Sequence, residues 1–215
     1  MTAADKTAKR LILLGTFTFV ISPLCAWGSV MASDETAVFA SLSRMIWYSG
    51  SELRILVAML IMFVPMLVSF FYAHSLSGMP KTKKTVCRVC MIISCVVLYI
   101  GAMWVMPGNG TTMTAENIWH GILSFSGMLM IFLTYCIYAA FYFPLDREGA
   151  LLLIGLLAFS LATGAFAVQN IFDEKSYVLV SAVTELYVLI MMSLIGYLTY
   201  YLAYRKVKAD QGISG

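Results

Sequence analysis

The chain has 215 residues, of which 61% are hydrophobic and only 12% are charged, and its formal net charge is +3. This composition excludes an ordinary soluble domain, in which about a quarter of the residues are charged. It is typical of an integral membrane protein. The small basic excess predicts no nucleic-acid partner, because the asymmetric loops described below account for it.

Six apolar stretches are long enough to cross a membrane as helices, since a hydrocarbon core about 30 Å thick needs roughly 20 apolar residues. They cover approximately 11–32, 54–76, 86–106, 118–143, 150–171 and 177–203. They use most of the chain and leave only short loops. The sequence therefore predicts an all-α integral membrane protein, a single membrane domain over 1–215 folded as a six-transmembrane-helix bundle.

Lysine and arginine are unevenly distributed between the two predicted sides of the membrane. One side holds Lys6, Lys9, Arg10, Lys81, Lys83, Lys84, Arg88, Arg147, Arg205, Lys206 and Lys208, and the other holds Arg44, Arg54 and Lys175. Because basic residues stay on the cytoplasmic side, we predict that both termini are cytoplasmic. The predicted location is the cell membrane, most simply the cytoplasmic membrane of a bacterium or archaeon.

The first span leaves an alternative open. Lys6, Lys9 and Arg10 precede an apolar stretch that ends in Val-Met-Ala at 30–32, which fits a signal-peptidase site. Cleavage there would leave five spans. We favour retention, because the stretch is longer than the usual signal core of roughly 7 to 15 residues and contains Pro23 and Trp27.

Histidine and cysteine do not form a convincing metal or haem site. His74 is predicted at the inner end of span 2 and His120 at the outer end of span 4, so most of the bilayer separates them. Cys87 and Cys90 form a C-x-x-C pair, but a zinc site usually needs two such pairs or added histidines. We predict no metal and no cofactor.

An acidic residue lies inside the sixth predicted span. Glu185 is nine residues into 177–203, roughly 12 to 14 Å below its outer boundary. A charge within the bilayer costs about 2.5 to 3.5 kcal/mol on insertion scales, so such a carboxylate is a functional-site hypothesis. Ser181, Ser193 and Gly196 share its helical face, which we expect to pack inside the bundle.

Other polar residues are predicted at the same membrane level, near the outer ends of spans 2, 4 and 5. They are Ser51, Glu52 and Arg54 at the outer end of span 2, Glu116, Asn117, His120, Ser124 and Gly127 at the start of span 4, and Gln169 and Asn170 at the outer end of span 5. The sequence therefore predicts an outward-facing polar pocket formed by spans 2, 4, 5 and 6. Its predicted ligand-binding residues are Glu185, His120, Ser124, Ser181, Arg54, Glu52, Asn117 and Asn170.

The same residues admit a purely structural interpretation, in which a buried hydrogen-bond network around Glu185 holds the helices together. Glu116, His120 and Ser124 also superficially suggest a hydrolase triad. Their spacing on one helix brings them close without providing attack geometry. We therefore predict no catalytic residue.

Several short motifs follow the same order as in a known family. They are a polar outer loop before span 2, the proline of "GAMWVMPGNG" after span 3, the histidine of "NIWHGILSFSGMLMIF" in span 4, and the acidic residue of "VTELYVL" in span 6. In this order the chain resembles the six-span membrane family called domain of unknown function 998, a relative of the Frag and DRAM group of lipid-associated proteins. The resemblance implies fold and topology but no established reaction.

These features predict a membrane protein whose pocket binds a lipid, a small solute or a partner protein. Three alternatives remain open. The chain could be a small-solute transporter or its membrane-embedded binding subunit, a lipid-modifying enzyme, or a partner-binding protein such as one that gives immunity against a pore-forming toxin. The predicted partners are the lipid bilayer, a lipid or small-molecule ligand and another membrane protein.

Overall fold

The computed structural model describes residues 3–25, 52–104, 115–169 and 177–210. Within these ranges only the backbone is described at 3–4, 52–56, 58–59, 117, 165–169, 177–186 and 189. The helices are α1, Ala3–Thr16, which continues as a π-helical segment, Phe17–Ile21; α2, Glu52–Leu76; α3, Lys81–Met103; α4, Ala115–Tyr142; α5, Arg147–Gln169; and α6, Tyr177–Asp210. The described part of the chain contains no strand, so the all-α fold class is confirmed there.

Among the described residues, four helices are long and apolar enough to cross a membrane: Asp5–Cys25, Lys81–Met103, Ile118–Tyr142 and Arg147–Gly164. A shorter apolar helix covers Leu60–Leu76. Their outer faces carry large exposed apolar side chains, such as Ile12 (65% exposed) and Leu24 (67%) on α1. These helices are compatible with a multi-pass membrane protein, and the count of six spans stays a prediction.

A tight turn joins α2 to α3. Gly78 has φ 71°, a left-handed conformation that favours glycine. The hydroxyl of Ser77 donates to the carbonyl of His74 at 2.9 Å and so caps the end of α2. A Cβ at Gly78 would lie 2.8 Å from Cε of Lys206. The turn is therefore packed against the last turns of α6.

A second turn joins α4 to α5 at the same end of the bundle. The amide of Gly149 donates to Oδ1 of Asp146 at 2.9 Å, which caps the start of α5. Arg205 of α6 lies 3.8 Å from Asp146 and 3.5 Å from Glu148. These ion pairs tie the end of α6 to the start of α5.

Helix α1 runs antiparallel to α2 and α6. Leu11 packs with Ala73 and Ala203 near the two turns, whereas Thr18, further along α1, is hydrogen-bonded to Ser69 at 2.5 Å. The N-termini of α1, α3 and α5 and the C-termini of α2, α4 and α6 therefore meet at one end, which we call the turn end. Every described lysine and arginine side chain belongs to a helix segment at or near this end.

A proline inside α2 is compensated by α1. Pro65 has no amide hydrogen, so the carbonyl four residues earlier, on Ile61, loses its helical partner. The hydroxyl of Ser22 donates to that carbonyl, and Thr18 donates to the carbonyl of Pro65 at 3.3 Å. A side chain from the first helix thus supplies the hydrogen-bond donor that Pro65 denies to the Ile61 carbonyl.

Helices α3 and α4 form the most extensive helix contact in the described chain. A Cβ at Gly101 would lie 2.5 Å from the amide nitrogen of Ser124, and one at Gly127 would lie 2.5 Å from Cα of Leu98. Two glycines, one from each helix, therefore let the backbones approach. Beyond this pair, each helix packs on the next in chain order, and α6 returns to α2 and α1.

Candidate functional site

His120 is a buried polar residue near the end of α4 opposite the turn end. Its side chain is 8% exposed and interacts with backbone groups of Gly101 and Trp104 at the end of α3. Its Nδ1 is buried and has no hydrogen-bond partner among the described residues. Because a buried polar atom without a partner is costly, this nitrogen marks a position where a further polar group would be favourable.

Ser124 lies one turn further along the same face of α4, as the sequence predicted. Its backbone and hydroxyl lie against Gly101, where a Cβ would approach Oγ to 2.9 Å. The pair His120 and Ser124 is therefore directed at α3. The sequence predicted a pocket between α4 and helices α2, α5 and α6, whereas the described contacts of these two residues are with α3. The pocket itself stays a prediction.

The remaining predicted ligand residues are only partly described. The backbones at Glu52 and Arg54 begin α2, and those at Asn117, Ser181 and Glu185 are helical, in α4 and α6. Their side chains, and Asn170 as a whole, lie outside the described residues. The predicted contacts among these residues therefore stay predictions.

The helical register of α6 relates position 185 to residues whose environment is described. Gly196, Thr199 and Ala203 follow it at spacings of 11, 14 and 18 residues, which correspond to one face of an α-helix. All three are buried, with Thr199 2% and Ala203 0% exposed. Ile190, on the opposite face, is 50% exposed. Position 185 thus belongs to the stripe that is interior further along α6.

Two other members of the predicted stripe have described contacts. The hydroxyl of Ser193 donates to the carbonyl of Phe19 at 3.3 Å. The Phe19 ring lies directly over Gly196. Both residues face α1, so this part of the stripe packs inside the bundle as expected.

A polar contact between α5 and α6 was not anticipated from the sequence. The hydroxyl of Tyr187 is hydrogen-bonded to the hydroxyl of Thr163 and donates to the carbonyl of Ser160 at 3.0 Å. These residues are close in level to position 185 but lie on another face of α6. A tyrosine in an apolar helix carries little signal by itself, and only the pairing of the two helices shows its partner.

A second buried polar group lies at the turn end, where α2 ends, and its aromatic neighbours were not predicted from the sequence. The His74 ring is fully buried between Phe70, with centroids 4.4 Å apart, and Tyr138, at 4.6 Å. Tyr138 stacks in turn on Tyr142 at 5.6 Å. Both ring nitrogens of His74 and the hydroxyl of Tyr138 lack hydrogen-bond partners among the described residues. This aromatic column lies in the buried core of the described bundle.

The cysteines do not assemble into a metal centre in the described chain. No group of three or more potential ligands from His, Cys, Asp and Glu lies close enough to hold an ion there. Cys87 and Cys95 are buried in the apolar core beside Met91. They pack as small apolar side chains.

Comparisons of the chain with protein-family models, with curated proteins and with solved structures found no match. The resemblance to the domain of unknown function 998 family is therefore untested by these comparisons. It stays a prediction based on the short motifs quoted above.

Proposed function

We propose that the protein is a six-span protein of the cell membrane, with both termini in the cytoplasm, and that the half opposite the turn end contains a polar pocket. The pocket, centred on Glu185 and His120, binds a lipid or a small solute. In this proposal the basic turn end is cytoplasmic, because positive charge is retained on that side. The opposite half is then the outer half of the bundle.

The observation that carries the proposal is the buried Nδ1 of His120 without a described partner. A ligand that accepts or donates a hydrogen bond there would remove the cost of leaving it unpaired. Position 185 supports the same location. It is in helical register with the buried residues Gly196, Thr199 and Ala203, and an ionisable residue within a membrane helix is a default functional-site candidate.

The relative level of the two residues is compatible with one pocket. Helices α4 and α6 run in the same direction, and Tyr142 of α4 donates to the carbonyl of Leu202 of α6 at 3.2 Å. Counted back from this contact, His120 is 22 residues and Glu185 is 17 residues away. The difference of five residues corresponds to about 7 to 8 Å along the bundle axis, so the two residues are at similar depth.

The test is native mass spectrometry of detergent-purified protein as wild type, Glu185→Gln and Glu116→Gln. Glu116 is an exposed carboxylate near the same end of α4, so its variant controls for loss of one negative charge. We expect a discrete lipid or small-molecule adduct on the wild type and on Glu116→Gln, with at least about tenfold lower occupancy on Glu185→Gln, since a charge-assisted hydrogen bond is worth about 1.5 to 3 kcal/mol. The pocket would be rejected if no adduct of the wild type lost occupancy in Glu185→Gln relative to Glu116→Gln.

A transporter of small solutes is the second candidate, because interior carboxylates in membrane helices often carry protons or ions. It predicts proton- or ion-linked uptake that Glu185→Gln abolishes. A protein that only binds a partner, as in toxin immunity, predicts that the same variant is harmless. Uptake and protection assays on this one variant therefore separate the two alternatives.

A further inference from the structure

Two cations of α3 are directed at the end of α2. Nζ of Lys84 donates to the carbonyl of Ser75 at 2.9 Å. One turn later, Nη2 of Arg88 donates to the carbonyl of Phe71 at 3.3 Å, and its guanidinium lies 5.5 Å from the centre of the Phe71 ring. Both positive groups are therefore held along one line between α2 and α3.

Neither cation forms an ion pair with a described carboxylate. The described ion pairs at the turn end all involve α6: Arg205 binds Asp146 and Glu148, and Lys206 binds Asp210 at 2.6 Å. Lys84 and Arg88 are four residues apart on one helix, a spacing at which like charges repel. An anion placed between them would offset this repulsion.

The two side chains retain unused hydrogen-bond donors. An ammonium has three N–H donors and a guanidinium has five, and each group makes one described hydrogen bond. Nε of Arg88 is buried without a described partner. A phosphate group, with several charged acceptor oxygens, matches this set of donors in charge and number.

The surroundings of the cations favour a lipid as the carrier of the phosphate. Lys84 and Arg88 are about 5 and 10 Å along the axis from Lys81, at the start of α3. Deeper along the two helices, Ile92 of α3 is 43% exposed and Val68 of α2 is 52% exposed. A molecule with a charged head and an apolar tail would therefore meet cations first and apolar side chains next.

We propose that Lys84 and Arg88 bind the phosphate of an anionic phospholipid at the turn end, with its acyl chains along Val68 and Ile92. The site is distinct from the pocket of Glu185 and His120, which is in the other half of the bundle. The result of a test on Lys84 and Arg88 is therefore independent of the result obtained for the proposed pocket.

The test is native mass spectrometry of delipidated protein titrated with phosphatidylglycerol, phosphatidylcholine or inorganic phosphate. The site variant is Lys84→Gln with Arg88→Gln, and the control variant is Lys81→Gln with Lys208→Gln, which removes the same charge at the same end. We expect the site variant to bind phosphatidylglycerol about tenfold or more weakly, from lost charge-assisted hydrogen bonds, and the control to change less than about threefold. We also expect the wild type to prefer phosphatidylglycerol over phosphatidylcholine.

Three results would overturn the proposal. Equal weakening in both double variants would indicate attraction by the whole basic end, and equal binding of the two lipids would show no preference for an anionic headgroup. Displacement of bound lipid by equimolar inorganic phosphate would assign the site to the free anion. If the site variant does not fold, the single variant Lys84→Gln, at an exposed hydrogen bond, is compared with Lys81→Gln by the same criteria.

Discussion

Ser22 shows how one hydroxyl can stabilise a helix to which it does not belong. Pro65 leaves the Ile61 carbonyl without its amide donor, and Ser22 of α1 donates to that carbonyl from a fully buried position. In an apolar bundle no water competes for the group, so its pairing has a larger effect than at a surface. His74 shows the opposite case. Its two buried ring nitrogens have no hydrogen-bond partner among the described residues, and leaving them unpaired lowers the stability of the fold.

We expect Ser22→Ala to lower the free energy of unfolding by about 1 to 3 kcal/mol, because it leaves the Ile61 carbonyl buried and unpaired. Ser75→Ala is the control, since the one bond that the exposed Ser75 hydroxyl makes to a described residue is to the carbonyl of Tyr72 in its own helix. A change below about 0.5 kcal/mol is expected. Chemical unfolding in detergent micelles, followed by tryptophan fluorescence, measures both. Equal effects of the two substitutions would contradict the role assigned to Ser22.

At the scale of the elements, α3 and α4 act as one tightly packed pair. Gly101 and Gly127 each face the backbone of the other helix at a distance that leaves no room for a Cβ. Such close approach increases van der Waals contact, which is a main source of helix association in lipid. His120 and Ser124 belong to α4 and contact the end of α3. Their positions in the proposed pocket therefore depend on how these two helices pack.

Gly127→Ala is expected to destabilise the fold by about 1 to 3 kcal/mol, because the new methyl group would overlap Leu98. Gly121 is also in α4, but no atom lies within 4 Å of a Cβ built there. Gly121→Ala is therefore expected to be neutral or slightly stabilising, since alanine favours helix over glycine. Thermal unfolding of the two variants side by side checks the contrast, and a stable Gly127→Ala protein would rule out the close contact.

At the scale of the whole molecule, the bundle has two chemically different ends. The turn end gathers the described cations, both short turns and the ion pairs of α6. The opposite end contains His120 and the beginning of α6. If the turn end is cytoplasmic, as proposed, the candidate pocket opens toward the outside and the proposed phospholipid site belongs to the inner leaflet.

Cysteine labelling in intact cells tests this orientation. In a cysteine-free variant, Ala115→Cys at the start of α4 is expected to react with a membrane-impermeant maleimide from outside. Leu145→Cys in the α4–α5 turn, where the native side chain is 44% exposed, is expected to react only after permeabilisation. The opposite labelling pattern would show that the turn end is outside the cell. Labelling of both positions in sealed cells would contradict their location on opposite sides of the membrane.

The sequence by itself determined the all-α fold class and the approximate position of the described helices. Hydropathy and length are local properties, so the apolar stretches could be recognised without knowing their neighbours, and the all-α expectation was confirmed for the residues that the structure describes. Of the candidate site, the shared face of His120 and Ser124 was predictable for the same reason, because both belong to one helix. The contact of that face with Gly101 was not.

Only the tertiary structure decided which faces meet. The bond from Ser22 to Ile61, the burial of His74 between Phe70 and Tyr138, and the reach of Arg88 to Phe71 each join different helices. In a membrane protein nearly every helix face is apolar, so the hydrophobic pattern of one helix does not distinguish a lipid-facing side from a buried one. Contacts between helices depend on relative rotation and depth, which packing sets for the whole bundle at once.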